Sequence, residues 1–112
     1  MADSPNFLTD LGDSVSATEL RATVDAIVEW QLPSGMVPWF PGGHADAWNH
    51  TEALMAMMLG GRRAEAEAGF EWLQKTQRTD GSWHQYYLAD RVEQDKLDAN
   101  CIAYVAAGAW FH

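Results

Sequence analysis

The fold is decided by residues 53–61, which read Ala-Leu-Met-Ala-Met-Met-Leu-Gly-Gly. Seven successive apolar side chains point in every direction around a helix, so a helix of this composition is expected to be enclosed by other parts of the protein. Gly60 and Gly61 end it, because glycine readily takes the left-handed conformation that closes a helix. The polar residues upstream place its start near Asp46. We therefore predict an inner helix over residues 46–59.

The same reasoning extends outward to the other helices. The charge-free stretch 101–111 predicts a second inner helix that begins near Leu97 and runs to the end of the chain. Residues 18–31 and 63–77 carry apolar side chains on one face only, which predicts two helices that lie at the surface. Outer and inner helices thus alternate. The sequence predicts an all-α fold built from two α/α hairpins.

An internal repeat supports the two hairpins. Each outer helix is followed by a glutamine, a glycine four residues later and then a tryptophan. Each inner helix begins with an aspartate followed closely by an asparagine. The matching residues are Gln31, Gly35, Trp39, Asp46 and Asn49 in the first copy, and Gln77, Gly81, Trp83, Asp98 and Asn100 in the second. A single hairpin cannot bury its own inner face, so stacked copies are expected.

Composition excludes several classes of partner and location. The chain has 112 residues with 7 basic and 16 acidic side chains, a net charge of -9, which disfavours nucleic acid and anionic membranes. No apolar stretch reaches the ~20 residues of a membrane-spanning helix. One cysteine and no basic leader predict a cytoplasmic protein. Residues 1–15 are polar and predict a flexible arm, and residues 16–112 predict the two hairpins.

Residues 68–83 read Ala-Gly-Phe-Glu-Trp-Leu-Gln-Lys-Thr-Gln-Arg-Thr-Asp-Gly-Ser-Trp and resemble the QW motif of squalene-hopene cyclases and prenyltransferase-like proteins. The resemblance implies an α/α toroid of about six hairpins around a cavity, of which this chain supplies two as an N-terminal fragment. It also implies a transferase or isomerase that acts on an isoprenoid, or a protein that binds an isoprenoid or a different small molecule. The apolar faces would be covered by the rest of the ring or by self-association.

The chain departs from that resemblance in its acidic motifs. Residues 95–98 read Asp-Lys-Leu-Asp and lack the Asp-x-Asp-Asp acid of the cyclases, and no two aspartates are adjacent as a magnesium site requires. Cys101 and Asp98 resemble two of the zinc ligands of protein prenyltransferases, but no third ligand can be assigned, so Cys101 is interpreted as a buried thiol. We therefore expect no metal and no cofactor, and an isolated segment that is inactive.

Candidate site residues cluster at the starts of the inner helices. The predicted catalytic carboxylates are Asp46, Glu52 and Asp98. The predicted substrate contacts are Trp48, Asn49, His50, Asn100 and Trp83. Glu52 precedes the apolar run, where burial would raise its pKa and suit it to general-acid work.

Each of these residues also has a structural interpretation. Asp46 is a natural helix cap, although with His50 on the same helix face it could also ligate a metal. The tryptophans can serve core and turn packing. Two functions therefore stand beside the isoprenoid hypothesis. One is a glycosidase-like toroid with two rim carboxylates and tryptophans that stack on sugars. The other is a non-catalytic helical-repeat scaffold.

Overall fold

The computed structural model describes residues 6–112. Four helices make up the all-α fold, as predicted: α1 (Ala17–Trp30), α2 (Ala47–Leu59), α3 (Arg63–Thr76) and α4 (Ala99–Phe111). Between α3 and α4 lies a small antiparallel hairpin of β1 (Tyr86–Tyr87) and β2 (Val92–Gln94). None of the helices in this described part is long and apolar enough to cross a membrane.

Helix α2 lies at the centre and packs against α3, α4 and α1. Its Leu54 and Met57 side chains are inaccessible to solvent. Glycines allow α3 and α4 to approach α2 closely. A Cβ atom at Gly69 of α3 would collide with the Leu54 side chain, and one at Gly108 of α4 would collide with the Thr51 methyl group. The predicted packing of the two inner helices against each other is therefore present in the structure.

Helix α4 is less enclosed than its sequence predicts. It buries Val105 and Gly108 against α2, but the side chain of Trp110 is 92% exposed and that of Phe111 is 42% exposed. Among residues 6–112, no element covers the face of α4 that carries Trp110. The prediction that α4 is enclosed on all sides is therefore wrong for this part of the chain. Apolar composition indicates that a face tends to be covered, but not which segment covers it.

The two turns that end α1 and α3 are built alike. The side-chain amide of Gln31 donates to the Gly35 carbonyl at 3.0 Å, and that of Gln77 donates to the Gly81 carbonyl at 3.0 Å. Both glycines have positive φ, at 94° and 87°, which only glycine adopts without strain. The Gln/Gly repeat in the sequence is thus a repeated turn. A closed toroid of such hairpins stays a prediction.

The two tryptophans of the repeat are not equivalent. Trp83 is 7% exposed and donates its indole N–H to the Leu73 carbonyl at 2.9 Å, at the end of α3. Trp39 is 44% exposed and donates to Asp46 instead. Val37, two residues after Gly35, occupies the position that matches Trp83. The first copy of the repeat has extra residues before its tryptophan, as its sequence shows, so the two tryptophans bond to different partners.

The N-terminal segment is attached through its backbone. The Phe7 amide donates to the Leu59 carbonyl at 2.9 Å, and Leu11 forms an isolated bridge with Val15. The side chains of Phe7 and Leu11 are 66% and 59% exposed, so they add little apolar burial. The predicted flexible arm covers residues 1–15, of which 1–5 lie outside the described residues.

Candidate functional site

The N-termini of α2 and α4 lie side by side. Trp48 of α2 stacks on Tyr104 of α4 with ring centres 4.4 Å apart and planes 7° from parallel. Burial, together with the nearby carboxylates of Asp46 and Asp98, raises the pKa of the Cys101 thiol to about 11. Asp46 and Asp98, two of the three predicted carboxylates, cap the adjacent starts of α2 and α4, and we call this end of the helix pair the rim.

Asp46 is a buried helix cap whose carboxylate is held by three donors. It is 3% exposed. One oxygen accepts from the Asn49 amide at 2.7 Å, and the other accepts from the Asn49 side chain and the Trp39 indole, both at 2.8 Å. Such bonds satisfy an N–H at the start of α2 and fix the orientation of the carboxylate. Asp98 caps α4 in the same way through Asn100 and Cys101, at 2.9 and 3.0 Å.

Glu52 lies on an exposed face of α2 rather than in the enclosed environment that the sequence predicts. It is two residues from both His50 and Leu54, which face the core, and two residues correspond to about 200° around a helix. The predicted burial is wrong, and the general-acid argument that depended on it no longer holds. Its Oε1 atom accepts the indole N–H of Trp48 at 2.9 Å. Trp48 thus contacts both the Tyr104 ring and the Glu52 carboxylate.

His50 is a core residue. It is inaccessible to solvent; its Nδ1 accepts the Val37 amide at 3.0 Å, and its Nε2 donates to the Gly69 carbonyl at 2.9 Å. Burial lowers its pKa to about 4, so the ring is neutral at pH 7. Both ring nitrogens are used, which leaves neither for a metal ion or a ligand. His50 therefore joins α2 to the preceding loop and to α3.

Six of the eight predicted site residues thus meet at the rim, and two do not. His50 is buried at the interface of α2 with α3, where it bonds to the Gly69 carbonyl. Trp83 is buried at the end of α3, where it bonds to the Leu73 carbonyl. Asn49 and Asn100 are exposed beside their capping aspartates. Sequence reasoning missed Tyr104 as a rim residue. Its signal is helical spacing, because it lies one turn after Asn100.

A second aromatic cluster lies where the β-hairpin of β1 and β2 meets the loop before α2. His44 stacks on Tyr86 at 4.2 Å and meets the edge of Trp39 at 4.6 Å. Its Nδ1 lies 2.9 Å from a carboxylate oxygen of Glu93 on β2. Since Trp39 also donates to Asp46, this cluster connects the hairpin to the start of α2. Within residues 6–112, no group of three His, Cys, Asp or Glu side chains is placed to hold a metal ion.

The fold and the rim define an all-α, helical-hairpin protein whose half-buried aromatic pair and exposed glutamate are residue types that proteins use against sugars. The chain is 46% identical over 94 residues to the MMP endo-(1,4)-3-O-methyl-alpha-D-mannosidase of Mycolicibacterium hassiacum. The alignment covers 84% of this chain and 26% of that enzyme, so the chain spans about a quarter of the length of the curated relative it matches. No protein-family model matches the chain.

This similarity overturns the resemblance to prenyltransferases and squalene-hopene cyclases. The relative is a glycosidase, so the terpenoid assignment and the isoprenoid reaction that it implied are wrong. The physical reason lies in the motif itself. Gln77 closes a turn and Trp83 covers the end of α3, so these residues specify how a helical hairpin is built. They carry no information about the substrate.

Proposed function

We propose that this chain supplies part of a glycosidase site for α-(1,4)-linked mannosides, including 3-O-methylated ones. The single observation that carries the proposal is 46% identity to an endo-mannosidase over 84% of the chain. The aligned part is a quarter of that enzyme, so the proposal concerns the groups that these residues contribute. The glycosidase-like alternative from the sequence is thereby retained, with its carboxylates at the rim.

The stacked pair Trp48 and Tyr104 is suited to support a sugar ring. Aromatic faces pack against the C–H groups of a sugar, and a 3-O-methyl group adds further apolar surface to that contact. The Trp48 indole is fixed by its bond to Glu52 and by the parallel Tyr104 ring. Asn49 and Asn100 are exposed nearby and carry amides that can bond to sugar hydroxyls.

Glycoside hydrolysis requires two carboxyl groups on opposite sides of the scissile bond. Of the three predicted carboxylates, Glu52 is the exposed one, so it is the best placed to reach the glycosidic oxygen or an attacking water. Asp46 has a fixed, buried orientation, whereas Asp98 caps the neighbouring helix and is partly exposed. We assign Glu52 to proton transfer because it is exposed beside Trp48, and we assign Asp98, the less buried of the two capping aspartates, to the opposing carboxylate.

The first test is binding of a 3-O-methylated α-(1,4)-mannan oligosaccharide to the 112-residue chain, followed by tryptophan fluorescence. We expect saturable binding that weakens at least about tenfold in Trp48→Ala, since stacked aromatic groups dominate such contacts. Trp30→Ala is the matched control, because Trp30 is 40% exposed at the far end of α1. Absence of saturable binding, or equal losses in both variants, would contradict the proposal.

The second test separates binding from chemistry. The variant is made in a form of the protein that contains these residues and cleaves the oligosaccharide. Glu52→Gln should lower the rate of cleavage about 100-fold or more, because the side chain keeps its shape but can no longer transfer a proton. Glu71→Gln, an exposed carboxylate on α3 paired with Lys75, is the control and should retain the rate. A Glu52→Gln variant that cleaves at the original rate would remove Glu52 from the reaction.

A further inference from the structure

An open pocket lies between the end of α3 and the β-hairpin, and the proposed glycosidase site does not use it. Its volume is about 340 Å³. The residues that line it include Trp72, Thr76, His84, Tyr87, Arg91 and Val92. None of the rim residues is among its lining residues. It is therefore a separate concavity with its own chemistry.

The floor of this pocket is aromatic and firmly held. Trp72 and Tyr87 are 7% and 5% exposed, and their rings meet edge to face at 5.1 Å. The Tyr87 backbone exchanges two 2.9 Å hydrogen bonds with Ala45, and its hydroxyl accepts the His84 amide at 2.9 Å. A floor fixed in this way needs little ordering when a ligand binds, which favours affinity.

The acidic and basic side chains that line the pocket, Asp90 and Arg91, have opposite signs. Arg91 bonds to Asp90 at 2.9 Å, and both side chains are mostly exposed. His84 Nδ1 lies 2.6 Å from an Asp95 oxygen, but without the geometry of a hydrogen bond. Among the lining residues, Arg91 and Asp90 carry opposite charges and are paired, so they give no excess of either sign and the pocket favours a neutral ligand. They still offer donors and acceptors to hydroxyl groups.

We propose that this pocket binds one neutral sugar unit, as a second carbohydrate site apart from the rim. An apolar floor with polar groups at its edge matches a sugar ring, which has C–H groups on its face and hydroxyls around its perimeter. Ligand pockets range from about 300 to 1,000 Å³, so this one is at the small end and suits a single ring. The site is inferred from its lining, whereas the choice of a mannoside as the natural ligand rests on the proposed function.

The test is an NMR titration of the 112-residue chain with methyl α-D-mannopyranoside. We expect saturable shifts of the Val92 and Thr76 methyl signals that persist in Trp48→Ala. Arg91→Ala should raise the Kd obtained from these shifts at least about tenfold, because the pocket loses a charged donor to a sugar hydroxyl. Arg63→Ala is the matched control, an exposed arginine paired with Glu67 away from the pocket. An amide spectrum of each variant checks that the fold is kept.

Further probes distinguish failure of this inference from failure of the proposed function. Shifts at Val92 with methyl glucoside or galactoside but not with mannoside would keep the sugar site and count against an α-mannoside role. No saturable shift with any of these glycosides would overturn the site, whatever happens at Trp48. Equal shifts with inorganic phosphate or tetramethylammonium would also overturn it, since they would reveal a charge-selective pocket.

Discussion

His50 shows how one buried side chain joins three segments of the chain. Its two ring nitrogens bond to Val37 in the loop before α2 and to Gly69 of α3. The sequence places His50 on the same helix face as Asp46, which led to the prediction of a substrate contact or a metal ligand. The loop and helix groups that it bonds come from distant parts of the chain, so their proximity could not be read from local spacing.

This buried histidine makes stability depend on pH. Burial lowers its pKa in the folded protein to about 4, below the ordinary value of 6.5, so the unfolded chain binds the proton more readily. The free energy of unfolding should therefore fall as pH drops from about 6.5 toward 4. The full shift corresponds to about 3 kcal/mol. Urea unfolding at several pH values measures this slope.

The His50→Asn variant provides the comparison for that slope. It removes the titrating ring and should be less stable than the wild type at pH 7, because one or both backbone partners lose their bond. Its free energy of unfolding should change less between pH 6.5 and pH 4 than that of the wild type. If the free energy of unfolding falls by the same amount in both proteins between pH 6.5 and pH 4, groups other than His50 cause the acid sensitivity.

At the scale of the elements, the helices were predictable, whereas β2 and its pairing with β1 were not. Ser16 and Glu19 form a capping box at the start of α1, with the Ser16 amide bonded to Glu19 at 2.8 Å. The structure places each helix boundary within one or two residues of its predicted position. Strand β2 is exposed at every residue, so it has no alternation of apolar and polar side chains to reveal it.

Contact between α2 and α4 depends on Gly108. A Cβ atom there would overlap the Thr51 methyl group, so Gly108→Ala should push the helices apart. Overpacking costs about 1–3 kcal/mol, and the better helix propensity of alanine returns about 1 kcal/mol. We expect a net loss of up to about 2 kcal/mol in the free energy of unfolding, measured by urea denaturation.

A second substitution tests whether the clash is the cause. Thr51→Ser removes the methyl group but keeps the hydroxyl, which donates to the Ala47 carbonyl at 2.7 Å. Thr51→Ser combined with Gly108→Ala should therefore be more stable than Gly108→Ala alone. Ala106→Ser, at an exposed position of the same helix, is the control and should have little effect. Absence of rescue would assign the loss to another cause.

For the whole molecule, the sequence predicted which faces are apolar but not what covers them. Helices α2 and α4 contain similar apolar runs, yet α2 is packed by three helices and α4 mainly by one. The α4 face includes Trp110, Phe111 and a row of alanines at its surface. Periodicity describes one helix at a time, so it cannot identify a neighbour outside the segment. The predicted partner for this face was the rest of a ring or a second copy.

We predict that the isolated 112-residue chain self-associates through the α4 face. Large exposed apolar patches are uncommon on monomeric proteins, and burying Trp110 would remove the most exposed large apolar side chain among the described residues. The net charge of -9 opposes association, so added salt should strengthen it by screening the repulsion. Sedimentation velocity over a concentration series, at low and at moderate salt, measures both effects.

Two tryptophan variants locate the contact. Trp110→Ser should shift the equilibrium toward monomer, whereas Trp30→Ser should not, because Trp30 lies at the end of α1. Phe111→Ser should act in the same direction as Trp110→Ser, since both residues belong to the last turn of α4. A wild-type chain that stays monomeric at high concentration and moderate salt would contradict the prediction. Equal effects of Trp110→Ser and Trp30→Ser would contradict the choice of face.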